Sequence, residues 1–276
     1  MRGLVALACL PLCASPSFGS GDDGVAPRYE LRLAAESALD LQAFWEPCVQ
    51  SRFGVFDATP ALHAPVPARA TAHYGADAFR AFVPHEPVAL GEVWKVEESA
   101  ALTFLRQFHE GATEKGRERG EVPGTYACLR AISDDAFEIL LRVHAVFDLG
   151  DVLFKPAQFE GRLVVDRASG TLRSFRLELP SRNPNVDASR RGNSHRPPRA
   201  DIGWMPRMEL SSEQQPTVAW SHEVPLEEAR TALRRAFYEF ASLDWLPLDE
   251  ALRTARETQK PLHLMVLLGA LDDDSC

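Results

Sequence analysis

The stretch Phe137-Glu138-Ile139-Leu140-Leu141-Arg142-Val143-His144-Ala145-Val146-Phe147 decides the fold class, because the polarity of its residues alternates. Every odd-numbered position is apolar, whereas Glu138, Arg142 and His144 stand at alternate positions. A period of two is typical of a strand that buries one face and exposes the other. We therefore predict a half-buried strand over 137–147, with Arg142 and His144 as surface residues on its polar face.

A β-hairpin is predicted directly after this strand. The segments 161–166 and 171–179 flank Arg167-Ala168-Ser169-Gly170, whose glycine tolerates the positive φ of a tight turn. Together these strands indicate an antiparallel meander. The next segment, 180–200, is rich in Pro, Asn and Arg, and we predict a long irregular loop there. Its arginines are either solvated or able to bind an anion.

Helical patterns occur on both sides of this β-rich region. Periodicity near 3.6 residues marks 31–36 and 101–105, and the charged, Gly-rich stretch 110–124 reads as a loop. An amphipathic helix is predicted further on, with the apolar positions Leu226, Ala229, Leu233, Phe237 and Phe240.

The last segment has a different character. Pro247 opens a helix over 248–257, whose first-turn acids suit the positive end of the helix dipole, and Lys260-Pro261 ends it. An apolar run over 261–269 reads as a buried strand. A helix, a buried strand, an acidic loop and then a cysteine resemble the opening of a thioredoxin-like domain. The predicted fold class is α+β: an antiparallel β-rich domain, then the opening helix and strand of an incomplete thioredoxin-like α/β domain.

Composition and charge set broad limits on function. The 276 residues are 45% hydrophobic and 25% charged, which is ordinary for a globular protein. A net charge of −9 gives no basic surface for nucleic acid. Arg2, the apolar run 4–14 and the small residues before 20 form the pattern of a secretory signal that is too short to span a bilayer. We expect an exported protein without a membrane anchor: signal peptide 1–19, flexible lead-in 20–27, β-rich domain with flanking helices 28–241, and thioredoxin-like start 242–276.

Cysteine usage points to the end of the chain. Removal of the signal leaves three of the five cysteines, which are Cys48, Cys128 and Cys276. Their spacing excludes a C-x-x-C pair and a zinc cluster, and in an oxidising compartment one thiol stays unpaired. Cys128 has apolar neighbours and reads as a buried core residue, whereas Cys48 fits either core or surface. Cys276 is the candidate reactive thiol.

Several short motifs in collinear order over 125–276 resemble the selenoprotein N family. The final stretch Gly269-Ala270-Leu271-Asp272-Asp273-x-Ser275-Cys276 is similar to the residues just before that family's selenocysteine. The likeness extends upstream through Ala131-Ile132-Ser133-Asp134, Arg142-x-His144-Ala145-x-Phe147, Pro156-Ala157-Gln158-Phe159-x-Gly161, Phe175-Arg176-Leu177, Asn185-Val186-Asp187, Asp201-Ile202-Gly203 and Pro206-x-Met208-Glu209-Leu210.

The resemblance implies a selenol/thiol oxidoreductase that acts on a disulfide-containing protein or a small oxidant such as a peroxide. It places a selenocysteine, encoded by UGA, directly after Cys276. The selenol would attack the substrate, and Cys276 would resolve the resulting intermediate. No other cofactor is implied. The residues that flank this site would be Gly269, Asp272, Asp273, Asp274 and Ser275; the aspartates would serve as helix caps or repel anions.

Calcium binding is not carried over from the family. Animal members have an EF-hand, but this chain contains no D-x-[DN]-x-[DN]-G loop with a closing Glu. We expect neither a calcium nor another metal site. The alternative interpretation is a non-catalytic exported β-domain that binds a protein or ligand and has a vestigial tail. The codon after Cys276 separates the two.

Overall fold

Antiparallel strands make up most of the computed structural model, which describes residues 26–97, 99–113, 124–192, 197–237 and 246–262. The strands are β1 (Arg28–Tyr29), β2 (Ala38–Trp45), β3 (Gln50–Ser51), β4 (Thr71–Gly75), β5 (Val88–Ala89), β6 (Val93–Val96), β7 (Ala112–Thr113), β8 (Thr125–Ile132), β9 (Ala136–Val143), β10 (Val146–Asp148), β11 (Val152–Pro156), β12 (Phe159–Asp166), β13 (Leu172–Glu178), β14 (Val186–Arg190), β15 (Arg199–Trp204), β16 (Met208–Ser212) and β17 (His222–Glu223). The helices are α1 (Pro60–His63), α2 (Ala76–Arg80), α3 (Leu102–Leu105), α4 (Leu226–Phe237) and α5 (Leu248–Thr258).

These strands form two large sheets and a two-stranded ribbon of β1 and β5. The larger sheet has the order β17-β8-β9-β12-β13-β16-β2-β4, and β6 also pairs with β8. The smaller sheet has the order β3-β15-β14-β11-β10-β7. The α+β class and the β-rich character predicted from the sequence are therefore confirmed for the described residues.

One hydrophobic core joins the two sheets. Trp45 of the larger sheet lies with its ring centroid 6.1 Å from that of Phe147 and 6.2 Å from that of Phe154, both in the smaller sheet. The short helices α2 and α3 add Phe79 and Phe104 to this core. Aromatic rings at such distances bury a large apolar area, so the two sheets stabilise each other.

The strand predicted over 137–147 is two strands in two different sheets. The chain leaves the larger sheet after Val143 and enters the smaller sheet at Val146, so His144 and Ala145 lie at the crossover. The predicted exposed face is also wrong, because α4 packs over β8 and β9. Leu140 is fully buried there with Cys128 in a second apolar cluster.

The hairpin is confirmed. Strands β12 and β13 pair in antiparallel fashion, and Gly170 has a φ of +73° in the turn between them. The turn has a further support that the sequence analysis did not identify: the Asp166 carboxylate accepts hydrogen bonds from the backbone N–H groups of Ala168 and Ser169. The bond from the Ser169 N–H, followed by bonds from the Arg173 guanidinium and the Ser169 hydroxyl, holds the pKa of Asp166 below its usual range.

Three local predictions are wrong in whole or in part. No helix forms over 31–36; instead the Ala34 N–H donates to the carbonyl oxygen of Gly170 at 2.8 Å, which ties this segment to the hairpin turn. The segment 180–200 contains β14 and the start of β15, which pair with each other. In addition, Ala112 and Thr113 form a short strand within the predicted loop 110–124, whose residues 114–123 lie outside the description.

The other three helix predictions are confirmed where the structure describes their residues. Helix α3 matches 101–105, α4 matches the amphipathic pattern from Leu226 to Phe237, and α5 matches 248–257. Phe240 lies outside the described residues. A left-handed residue, Gln259, follows α5 directly. No helix among the described residues is long and apolar enough to cross a membrane.

Candidate functional site

The redox site predicted from the sequence lies outside the described residues. Its members are Gly269, Asp272, Asp273, Asp274, Ser275 and Cys276. The predicted strand over 261–269 is described only at Pro261 and Leu262, which are exposed and not part of any strand. The predicted signal peptide and most of the lead-in lie outside the description as well. These assignments stay predictions.

The two cysteines within the described residues differ in burial. Cys128 is fully buried, and burial, opposed only by the charge of Arg130, raises its thiol pKa to about 12. A thiol with such a pKa is not ionised at neutral pH and cannot act as a nucleophile there. The predicted structural role of Cys128 is confirmed. Cys48 is half-buried and packs against the edge of the main core.

The motif residues Arg142 and His144 meet the last turn of α4. The Arg142 guanidinium lies 5.9 Å from the ring centroid of Phe237, and the His144 ring centroid lies 6.2 Å from the same point. Arg142 also donates a hydrogen bond to the side chain of buried Gln158. Two of the motifs that carry the family resemblance thus converge at one place.

The prediction that this pair lies on the surface is wrong. His144 is only 1% exposed and Arg142 is half-buried, because α4 covers this end of the sheet. Tyr126 of β8 completes the cover, with its ring edge-on to Phe237 at 5.7 Å. The covering helix follows much later in the chain, so the local alternation could not reveal it.

An ion pair fixes the middle of α4 to the larger sheet. Both Glu160 carboxylate oxygens accept from the Arg230 guanidinium, with a distance of 2.8 Å between Nη2 and Oε1. The hydrogen bond from Arg230 to Glu160 raises the pKa of the guanidinium, which stays charged. The sequence analysis did not identify this pair, although Arg230 stands four residues after Leu226 and three before Leu233 and so borders the apolar stripe of α4.

A second charged cluster lies where β13 and β16 run side by side. The Arg176 guanidinium lies 2.7 Å from the Glu178 carboxylate and 3.3 Å from that of Glu209. Arg207 donates to Glu209 at 2.9 Å and stacks 3.6 Å from the Phe44 ring centroid. Burial raises the pKa of Glu178. For Glu209, burial is outweighed by the bond from Arg207 and the charge of Arg176, and its pKa is lowered. These side chains line an open groove of about 430 Å³.

Within the described ranges no three His, Cys, Asp or Glu side chains lie close enough to hold a metal ion. The described part offers a double-sheet domain, a charged groove and the helix α4, which precedes the C-terminal segment in the chain.

Comparison with known proteins gives the family. The chain is 30% identical to Selenoprotein N of Mus musculus over an alignment of 270 residues, which covers 75% of this chain. It is 29% identical to Selenoprotein N of Danio rerio, with 76% of this chain covered. It is 30% identical to Selenoprotein N of Homo sapiens, with 72% of this chain covered. The chain belongs to a selenoprotein N-like family.

The selenoprotein N-like chain spans about half the length of these curated relatives, with coverage of 43% to 48% of each. No protein-family model and no solved structure matches it. The resemblance noted in the short motifs is thus confirmed at the level of the family, while the activity of the whole protein is a matter for proposal.

Proposed function

We propose that this selenoprotein N-like chain is an exported selenol/thiol oxidoreductase that acts on disulfides or peroxides. In this proposal Cys276 is the partner of a selenocysteine at the next codon. The observation that carries it is the similarity to three vertebrate proteins named Selenoprotein N. The likeness of 269–276 to the stretch before that family's selenocysteine, and the signal-like pattern over 1–19, support it further.

The chemistry requires two neighbouring groups. One group attacks the substrate and is left in a mixed intermediate, and the second must displace the product from it. The adjacent selenol makes the attack, and the Cys276 thiolate then closes a bond to its neighbour and releases the reduced product. An external thiol returns the pair to the reduced form. Asp272, Asp273 and Asp274 cap the following helix, whose N-terminus lowers the thiol pKa.

Helix α5 supports the proposal that a thioredoxin-like domain begins near 242. None of its described residues is buried, whereas α4 buries Ala229, Leu233 and Phe237. Amphipathic helices stabilise a protein chiefly by burying their apolar stripe against another element. The half-exposed stripe of α5 therefore suits a helix whose packing partners belong to a second domain. That stripe consists of Leu248, Ala251, Leu252 and Ala255.

One observation favours the second candidate function, a β-domain that binds a partner without catalysis. The groove beside Arg176, Glu178 and Glu209 combines charges of both signs with half-buried side chains, which suits recognition of a polar peptide. The two functions are compatible, since a binding domain can deliver a substrate to a redox site. Activity measurements on Cys276 variants separate them.

The decisive experiment compares two polypeptides in a dithiothreitol-driven insulin reduction assay. One ends at Cys276, and the other continues through the downstream codons with selenocysteine or cysteine at the next position. We expect turnover from the longer polypeptide alone. The shorter one lacks the attacking group next to Cys276, so Cys276 can form a mixed disulfide itself but has no neighbour to release the product from it. Cys276→Ser in the longer polypeptide should abolish turnover, and Cys48→Ser is the matched control that should retain it.

Other outcomes would sink parts of the proposal. Equal turnover by the short polypeptide, or full activity after Cys276→Ser, would place the site elsewhere. A codon other than UGA after Cys276 would remove the selenol while leaving a thiol mechanism to test. Loss of activity in both Cys276→Ser and Cys48→Ser would indicate misfolding and is checked by circular dichroism.

A further inference from the structure

Helix α4 is anchored firmly at its N-terminal end. The preceding strand β17 pairs with Ala131 and Ile132 of β8, and the Val224 N–H donates to the Arg130 carbonyl oxygen at 2.8 Å. The Arg130 guanidinium adds a bond of 2.8 Å to Glu223. The helix begins directly after Pro225, so the last fixed point before it is the 224–225 peptide.

The body of α4 rests on a small apolar cluster that is separate from the main core. Ala229 and Leu233 pack there on Cys128 and Leu140. The main core lies on the opposite face of the same strands, where Ile139 and Leu141 point towards the smaller sheet. Separation of α4 from the sheet would therefore uncover the small cluster and leave the core between the sheets intact.

Polar contacts complete the docking of α4. Arg230 is paired with Glu160, and Phe237 is approached by Arg142. The two members of the ion pair are 37% and 17% exposed at their side chains, so water can reach and replace the pair. A charged contact at the rim of a small apolar cluster costs little to break compared with a large core.

We propose that α4 is a strap that undocks as a unit about the 224–225 pivot while both sheets stay folded. Its opening uncovers the sheet face that carries Arg142, His144 and Cys128. The opening of α4 does not depend on the redox chemistry proposed above. Regions of low local stability of this kind are those that move in regulated proteins.

Cys128 provides a direct probe of the opening. Its thiol is fully buried beneath α4, and burial raises its pKa, so it reacts with alkylating reagents only when the strap is open. The full chain is pulsed with N-ethylmaleimide in native buffer and in sub-denaturing urea, and label at Cys128 is read by peptide mass spectrometry separately from the other cysteines. Arg230→Gln removes the contact to Glu160, and Arg235→Gln removes the same charge from an exposed position of the same helix.

We expect labelling of Cys128 in the unmodified chain to depend only weakly on urea, since little surface is exposed on opening. Arg230→Gln should accelerate that labelling about tenfold, because it removes a hydrogen-bonded charge pair, and Arg235→Gln should change it less than about twofold. The proposal that α4 undocks separately would be overturned if both variants accelerated labelling equally. It would also be overturned if labelling had the full urea dependence of global unfolding.

Hydrogen exchange on the unmodified chain gives a test that needs no variant. Amides of α4 should exchange well before those of β9 and β12 in the same sheet. If the α4 amides exchange together with these strands, the helix opens only when the domain unfolds and the inference is wrong.

Discussion

Asp201 is a buried carboxylate that organises a loop by itself. One of its oxygens accepts from the Ser51 hydroxyl at 2.6 Å and from the Val55 N–H at 2.8 Å, and the other accepts from the N–H groups of Arg52 and Phe53, each at 2.9 Å. Burial alone would raise its pKa, but these four donors outweigh burial and the pKa is lowered. The carboxylate therefore stabilises the folded state in its charged form.

Replacement of Asp201 should be costly at neutral pH. Asp201→Asn keeps the size but exchanges one accepting oxygen for an amide that donates, so two donors lose their partner. We expect a loss of about 1–3 kcal/mol in the free energy of unfolding at pH 7, measured by urea denaturation. The matched control Asp57→Asn, at an exposed position close by, should change it by less than about 0.5 kcal/mol.

The pH dependence of this difference follows from the lowered pKa. The stabilisation by ionised Asp201 is present above the unfolded-state pKa of about 3.9 and is lost as pH falls through the lower folded-state pKa. The difference in the free energy of unfolding between the unmodified chain and Asp201→Asn should accordingly become smaller as the pH falls from 5 to 2. A gap that stays constant over this range would contradict the role given to the charge.

Single residues also mark the limit of the sequence interpretation of the site. Cys128 was predictable as a core residue because its neighbours in the chain are apolar. His144 was not, because its burial depends on Phe237 and α4, whose contact with the strand is not encoded in the alternation of 137–147. The redox assignment of Cys276 depends on family resemblance and stays a prediction.

Among the elements, the hairpin of β12 and β13 was predictable because its turn has a specific conformational demand. Gly170 has positive φ, and a Cβ there would come within 2.8 Å of the backbone nitrogen of Ala34. Gly150 has a φ of +91° but open space around it. We expect Gly170→Ala to lower the free energy of unfolding by roughly 3 kcal/mol and Gly150→Ala by about 1 kcal/mol. Both substitutions place alanine at a strained positive φ, and the first also produces a steric clash. Thermal denaturation of both variants measures these losses of stability. Equal losses would show that the structure shifts to accommodate the added Cβ at Gly170 without a clash.

Strands β14 and β15 were missed for the opposite reason. Their polar and proline-flanked residues look like a loop, yet β14 buries Val186 and Ala188 at alternate positions. Only two apolar residues mark the inner face, and the rest of the stabilisation comes from pairing with β11 and β15 on either side. Pairing between distant segments overrides such a weak local pattern.

At the scale of the whole molecule, α4 and α5 differ in their relation to the rest of the described chain. Helix α4 packs against β6, β8 and β9 of the larger sheet and is paired with Glu160 of β12, whereas α5 has no buried residue among those described. A helix that buries nothing contributes little to the unfolding free energy of the domain before it. The boundary predicted between 241 and 242 falls outside the described residues and stays a prediction.

Truncation tests that boundary. A chain from residue 20 that ends after residue 241 keeps α4, and we expect its free energy of unfolding to lie within about 0.5 kcal/mol of that of the chain ending at 276. A chain that ends after residue 225 lacks α4 and exposes Leu140 and Cys128. We expect its free energy of unfolding to fall by roughly 3–6 kcal/mol, because the apolar side chains on both sides of the contact are no longer buried. Urea denaturation followed by tryptophan fluorescence measures both. If the truncation after 241 costs more than about 2 kcal/mol, residues beyond it stabilise the β-rich domain and the boundary lies elsewhere.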